Sequence, residues 1–244
     1  MDAKTVKDYF ENPLVVEDYL NAAKNVGLWK SEQIVIEKFV PKSASILELG
    51  CGAGRISYGL AKLGYESIIA TDFSKSMVVA ASQLAESEGV NFSCKVCDAT
   101  KICFASESFD AVVFGFNGLM QIPKEKNRRK ALCEIFRVLK SGGVFIFTTH
   151  DRAVKENSFY WEAEFKQWAR GCQNPVLDEF GDIYYKGEHG NIFIHSPVEE
   201  EIVDALKYAK FETIFSARRS ELASESAEVE DFSDDCVFRV VKKS

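Results

Sequence analysis

The chain has 244 residues, 46% of them hydrophobic, and a formal net charge of -7, enough apolar content for one sizeable core or one α/β domain carrying an inserted cap. That acidic balance disfavours broad electrostatic adhesion to phosphate backbones or anionic lipid, and no segment approaches the roughly 18 uninterrupted apolar residues of a membrane span. Seven cysteines (51, 94, 97, 103, 133, 172 and 236) lack the density of a disulfide framework. With no basic segment leading into an apolar stretch at the start, they are expected to be reduced thiols in a cytoplasmic protein.

Residues 1–44, with Tyr9, Phe10, Tyr19 and Trp29, read as a helical lead-in placed to fold over the next segment as a lid. From Ser45 short apolar runs alternate with segments of helical period, the signature of a parallel sheet covered on both faces. "SILEL" is the first strand, and Ile56, Leu60 and Leu63 fall on one face of the helix after it. "SIIATD" is the second; Ser74 then caps a helix whose Met77, Ala81, Leu84 and Ala85 point inward. "VNFSCKVCD" and "DAVVFGF" are the third and fourth. A helix through Ala131, Leu132, Ile135, Phe136 and Leu139 is expected to end at "SGG" (141–143), before a fifth strand, "VFIFTTH". The fold class is α/β, doubly wound.

Residues 151–196 break this rhythm. Trp161, Phe165 and Trp168 recur at helical spacing, and "DIYYKGEHGNIFIH" reads as two short strands about a turn, so the segment is an inserted substrate cap. A helix follows with Ser196 as N-cap and Pro197 at its first position. "FETIFSA" and "CVFRVVK" pair antiparallel at the sheet edge. Between them, Glu221 to Asp235 carries seven acidic residues and reads as an exposed loop. Residues 45–150 and 197–244 thus form one domain around the cap.

"LGCGAG" places Gly50, Gly52 and Gly54 where the first strand meets a helix. A bare turn there lets a ligand approach the backbone, and the helix N-terminus presents unpaired N–H groups. Dinucleotide enzymes use GxGxxG; here the third glycine comes one residue early. Glu48 precedes the turn, Asp72 ends the second strand where a carboxylate accepts from ribose hydroxyls, and Asp98 ends the third. Three acids along one edge suit a pyrophosphate poorly and suit a ligand with hydroxyls and positive charge well. S-adenosylmethionine has both. Cys94 and Cys97 form a lone CxxC without a second ligand pair, so no metal site is expected.

These segments resemble the class I S-adenosylmethionine-dependent methyltransferases, closely over roughly 40–150 and in outline beyond. "LELGCGAG", "ATDFSKSM", "CDAT", "FDAVVFGFNGL" and "EIFRVLKSGGVFIFTTHD" each match a motif of that family. The resemblance implies a Rossmann-like, seven-stranded sheet, mostly parallel with an antiparallel C-terminal edge. It assigns Gly50, Cys51, Gly52 and Gly54 to the methionine end of the cofactor and Asp72 to the ribose. Phe73 and Met77 go to the adenine faces, Asp98 and Ala99 to its edge, and Phe114 and Gly115 beside the sulfonium. One departure stands out: the family's helix before the sixth strand ends in a glycine, where this chain has Lys210.

The implied reaction is methyl transfer by in-line displacement. If the acceptor must lose a proton, His150 is the first candidate base, set against a role bonded to backbone. His195 could point into the acceptor cavity or serve the helix entry, and Asn117 could orient an acceptor or shape its loop. Tyr9, Tyr19, Trp29, Trp161, Trp168, Tyr184 and Tyr185 are candidate walls of an acceptor pocket or core of the cap. The basic run Lys124, Lys126, Arg128, Arg129 and Lys130 reads as a solvated helix face. A small-molecule acceptor is favoured over RNA. A non-catalytic cofactor-binding module and an NAD-dependent oxidoreductase stand as the other readings, and oligomeric state stays open.

Overall fold

The computed structural model describes residues 1–233 and 235–244. Its strands are β1 (Ile46–Leu49), β2 (Ile68–Asp72), β3 (Ser93–Val96), β4 (Phe109–Phe114), β5 (Leu139–Thr149), β6 (Asp182–Gly187), β7 (Gly190–His195), β8 (Phe211–Arg218) and β9 (Val237–Lys243). Its helices are α1 (Ala3–Phe10), α2 (Pro13–Asn25), α3 (Lys30–Phe39), α4 (Arg55–Lys62), α5 (Lys75–Glu88), α6 (Glu125–Val138), α7 (Ser158–Ala169), α8 (Glu199–Tyr208), α9 (Arg219–Leu222) and α10 (Ala227–Phe232). Seven strands form one sheet in the order β3-β2-β1-β4-β5-β9-β8, and β6 with β7 forms a separate hairpin. β9 runs antiparallel to both β5 and β8, so the expected antiparallel pair exists with β8 outermost. No helix among the described residues is long and apolar enough to cross a membrane.

All four residues of β1 are buried because helices cover both sheet faces. Its side chains alternate between two cores: Ile46 packs with Val35, Leu60 and Ala81, whereas Leu47 and Leu49 pack with Val112, Leu132 and Phe145. Strand order reverses on either side of β1, between β2 and β4, and crevices open at the carboxyl ends of strands at such a point.

Local chemistry fixes the helix starts. Ser74 accepts from the Met77 amide at 3.2 Å, as its N-cap role requires, and its hydroxyl also donates to the Phe10 carbonyl at 2.9 Å. Glu11 accepts from the Lys75 and Ser76 amides, so the lead-in helices are fastened to the first turn of α5. Lys210, the departure noted above, takes φ +65, the left-handed conformation that a glycine would adopt after a helix end.

Several elements depart from expectation. α6 stops at Val138, and β5 runs straight through Ser141, Gly142 and Gly143, because Leu139 pairs with Phe109 across a register shift. α8 starts at Glu199 with Val198 at the N-cap, two residues later than read, and places three glutamates on its first turn where the helix dipole favours them. Within 221–235, α10 buries Val229 in the main core, and Glu225 caps α3 through the Lys30 and Ser31 amides; Asp234 lies outside the described residues. Arg128 is buried against Glu179 at 2.6 Å rather than solvated.

The cap carries an aromatic cluster of which only Trp161 is buried. Trp161, Phe165 and Trp168 on α7 meet Phe180 edge-on at centroid distances of 5.7, 5.9 and 6.1 Å. Phe193 on β7 packs with Val6, Phe10 and Met77, so the cap also meets the lead-in helices.

Candidate active site

A cavity of about 320 Å³ opens where β1, β2 and β4 end. Ten of the twelve residues expected to hold a cofactor line it: Glu48, Gly50, Cys51, Gly52, Asp72, Phe73, Asp98, Ala99, Phe114 and Gly115. Gly54 does not. At φ +91 it is the N-cap of α4 and fits against Ala81 and Phe92, a packing role. Met77 also lies off the wall, fully buried among Val6, Phe10 and Val15, because α1 and α2 cover the face it presents.

The acids are placed differently from one another. Asp72 accepts from the Gly52 amide at 2.9 Å through one oxygen and from the Ser74 amide at 2.8 Å through the other. Burial pushes its carboxyl up to about 6, against the pull of those amides. Glu48 is more deeply enclosed and is pushed up to about 8 by burial, although the Ser57 hydroxyl and amide both donate to it. It therefore anchors the first turn of α4 from the cavity wall. Asp98 is exposed, and its carboxylate accepts from the Thr100 amide and hydroxyl, which closes the turn after β3. Burial pushes the Cys51 thiol well above its ordinary range, which removes it as a nucleophile.

Beyond β4 the chain turns sharply: Phe116 and Asn117 take φ +49 and +57, a costly conformation for two successive non-glycine residues. The turn is held by the Asn117 amide donating to Thr148 Oγ1 at 2.8 Å, and by Asn117 Nδ2 lying 3.0 Å from His150 Nε2. Two of the three candidate catalytic residues are thus brought together. They stand behind the wall, while Phe116 and Gly118 on either side of Asn117 line the cavity.

His195 is elsewhere. It is buried beside a second cavity of about 200 Å³ between α6 and α8, where Nδ1 is 2.9 Å from Asp182 and Nε2 is 3.1 Å from Glu201. Glu201 also pairs with Arg152. Among the described residues, Glu179, Asp182 and His195 are the one group whose ligand-type atoms come within 4.8 Å of each other, as metal ligands would. Each of these atoms already has a partner: Glu179 accepts from Arg128 and the Glu125 amide, and Asp182 from His195 and the Asp178 and Glu179 amides. This network ties the hairpin to α8. His195→Leu is therefore expected to cost about 2 kcal/mol of stability by removing the hydrogen-bond partner of buried Asp182 Oδ1, read as a lower denaturant midpoint, with cofactor affinity unchanged by calorimetry.

Sequence reading passed over part of the wall. Tyr19, a candidate wall residue, lines the cavity with Phe10 of the lead-in, and the residues not singled out are Ala3, Val6, Ala22, Arg55, Thr100, Gln121, Ile122, Pro123 and Asn127. Helical period marks the lead-in as a lid, but which of its residues face inward depends on the crossing of α2 over the glycine turn, and no local motif encodes that. Tyr19 lies over Gly52 and meets Phe10 and Phe116 edge-on, at 5.9 and 6.3 Å.

S-adenosylmethionine suits this donor set. Asp72 spends one lone pair per oxygen on backbone amides and keeps others for a ribose diol. Phe73 and Ala99 offer apolar surface for a purine, and the bare backbone at Gly50 and Gly52 admits an amino-acid end.

Comparison with known proteins agrees. A family model described as a methyltransferase domain matches residues 46–143. The chain is 35% identical over 145 residues to a demethylmenaquinone methyltransferase of Leptospira interrogans, covering 57% of this chain and 55% of that protein. It is 33% identical over 131 residues to a ubiquinone/menaquinone biosynthesis C-methyltransferase of Desulfotalea psychrophila, covering 52% and 50%. The chain thus spans about half the length of these curated relatives. Among solved structures, a methyltransferase from Methanosarcina mazei shares the fold with a TM-score of 0.70 at 23% identity, over 89% of this chain and 98% of that one. The [4+2]-cyclase SpnF shares it at 0.59 and 17% identity, over 86% and 78%. Residues 46–143 thus match a methyltransferase domain, set in a seven-stranded sheet whose fold is shared with a solved S-adenosylmethionine-dependent methyltransferase.

Proposed function

We propose that this protein transfers the methyl group of S-adenosylmethionine to a nucleophilic atom of a small, largely apolar molecule. The observation that carries the proposal is the single cavity in which the glycine turn, Asp72, Asp98 and the end of β4 meet an apolar wall from α1 and α2. The cofactor, when bound, supplies an activated methyl group on a sulfonium. The protein's task is then to hold an acceptor in line with it, and orientation alone accounts for roughly 7 to 11 kcal/mol in favourable cases.

In this reading Gly50 and Gly52 admit the amino-acid end, Asp72 holds the ribose, and Asp98 with Ala99 borders the adenine. Phe114, Gly115 and Phe116 shape the wall beside the methyl group. Val6, Phe10, Tyr19 and Ala22 exclude water from the acceptor side. His150 and Asn117 act as positioning residues that hold the strained turn carrying Phe116 and Gly118. Relatives named for quinone methylation support a small aromatic acceptor. An RNA acceptor finds less support: in the α6 basic run Arg128 is spent on Glu179 and Arg129 on Glu125. The relation in fold to a cyclase is the specific reason to keep a non-methylating, cofactor-binding role in view.

Calorimetric titration with S-adenosylmethionine and S-adenosylhomocysteine, against NADH and ATP, tests the cofactor half. Micromolar binding of the first pair alone is expected, and binding of NADH instead would overturn it. Release of S-adenosylhomocysteine across a panel of hydroquinones, phenols and amines tests the acceptor half. Tight cofactor binding without turnover on any acceptor would favour the non-catalytic role.

A further inference from the structure

We infer that Cys97 and Cys103 form a redox site at the wall of the first cavity, a dithiol whose oxidation to a disulfide by hydrogen peroxide lowers affinity for the adenosyl ligand. The ligand half of this inference rests on the methyl-donor reading above. The CxxC noted in the sequence is divided by the sheet: Cys94 packs against the core that holds Ile46, and Cys97 lies in the one that holds Leu47. Cys97 has a different partner. The Cys103 amide, six positions on, donates to its Sγ at 3.2 Å, and the two thiols lie within hydrogen-bonding reach of each other. Cysteines this near can be bridged without large backbone movement.

The two sulfurs divide the chemistry. Cys103 is exposed, so peroxide reaches it first. Burial raises the Cys97 thiol, which keeps it from attacking the oxidant itself and leaves it the resolving role. The Cys103 thiolate attacks one peroxide oxygen, the O–O bond breaks, and hydroxide leaves with a sulfenic acid formed on Cys103. The Cys97 sulfur then attacks the Cys103 sulfur, the S–O bond breaks, and the departing hydroxide takes the Cys97 proton as water. Two thiols thus give up two electrons, and peroxide ends as two waters once the first hydroxide recovers the proton that Cys103 released. The bridge bears on the ligand through its position. Cys97, Asp98, Ala99 and Thr100 line the cavity in succession. On the far side Ile102 is clamped to α6, where Glu134 accepts from its amide at 2.9 Å and Arg137 donates to its carbonyl at 3.0 Å. Closing a sulfur–sulfur bond of about 2 Å therefore displaces Cys97 and the turn after it. The Cys97 amide, which donates to the Asp72 carbonyl at 2.9 Å, passes that shift to the end of β2.

The test treats the parent protein and Cys103→Ser with hydrogen peroxide, alkylates an aliquot of each and maps its tryptic peptides. Cleavage after Lys95, Lys101 and Lys124 turns the bridge into a link between 96–101 and 102–124. The remainder is titrated with S-adenosylhomocysteine by calorimetry, before and after dithiothreitol. The oxidised parent is expected to carry the link and to bind about tenfold more weakly or worse, within the range of coupled sites, and reduction should restore it. Cys103→Ser should bind like the reduced parent and stay so after peroxide; Cys133 and Cys172, also exposed, remain in it and control for oxidation elsewhere. An oxidised parent without the link overturns the inference, as does a link that leaves affinity unchanged or an equal loss in oxidised Cys103→Ser. A parent protein that binds no adenosyl ligand in either state overturns the methyl-donor reading and the ligand half of this inference with it, while the peptide map still decides the bridge.

Discussion

Asp72→Ala is expected to weaken S-adenosylmethionine by at least about 100-fold, since in the proposed function it removes an ionised acceptor for two ribose hydroxyls, each such bond being worth about 1.5 to 3 kcal/mol. It also frees the Gly52 amide, which the Asp72 carboxylate holds at 2.9 Å, so the glycine turn loses its tether as the ligand loses its partner. Asp72→Asn separates these effects. The amide oxygen can still accept one bond, and the expected loss is smaller. A calorimetric Kd for each variant, with circular dichroism to verify the fold, checks the pair; parent-like affinity in Asp72→Ala would remove the ribose assignment.

The same carboxyl predicts a pH dependence of definite sign. Burial pushes it up to about 6, so it is protonated in the free protein below that pH. Ligand hydroxyls bind the carboxylate form, and binding must then expel a proton. Affinity should fall by about tenfold per pH unit below 6 and level off above it. In Asp72→Asn that acid limb should vanish. For folding the sign is opposite: the unfolded chain gives up this proton near the ordinary carboxylate range, so between about 4 and 6 the group makes a rising pH less favourable to the native state.

What could be read from the chain beforehand follows the range of the interactions involved. The doubly wound class followed from short apolar runs alternating with helical periods, and the wall residues from Glu48 to Gly115 were legible because each sits at a strand end beside a turn with its own local chemistry. Ser74 capping α5 is a three-residue signal and was equally plain. Errors arose where a partner far along the chain decides. Leu139 was given to a helix, but pairing with Phe109 pulls it into β5. His195 stood between the acceptor cavity and the helix entry, and Asp182 and Glu201 on its two ring nitrogens favour the second. The acidic run after Glu221 hid Val229, one apolar anchor in a polar segment, whose burial needs the core beneath it. Arg55 was overlooked for the same reason, since its partner Glu32 lies 23 residues earlier.

Gly52→Ala is expected to combine lost stability with lost cofactor binding, because position 52 is constrained from three sides. Its φ of +53 costs an alanine about 1 to 2 kcal/mol. The new Cβ would lie 2.7 Å from Tyr19 Cδ1, so that ring must shift against its edge-on neighbours Phe10 and Phe116. Its amide donates to Asp72, so any shift of the turn disturbs the ribose acceptor. The expected result is a lower denaturant midpoint and a loss of S-adenosylmethionine affinity of about 100-fold. Tyr19→Ala makes the contribution of the contact measurable. If the clash dominates, adding Gly52→Ala to Tyr19→Ala should cost only the backbone penalty, giving a coupling energy of about 1 kcal/mol or more in the double-mutant cycle. Strict additivity would show that α2 does not press on the glycine turn, and the lead-in helices would lose their role as the wall that closes the cofactor site.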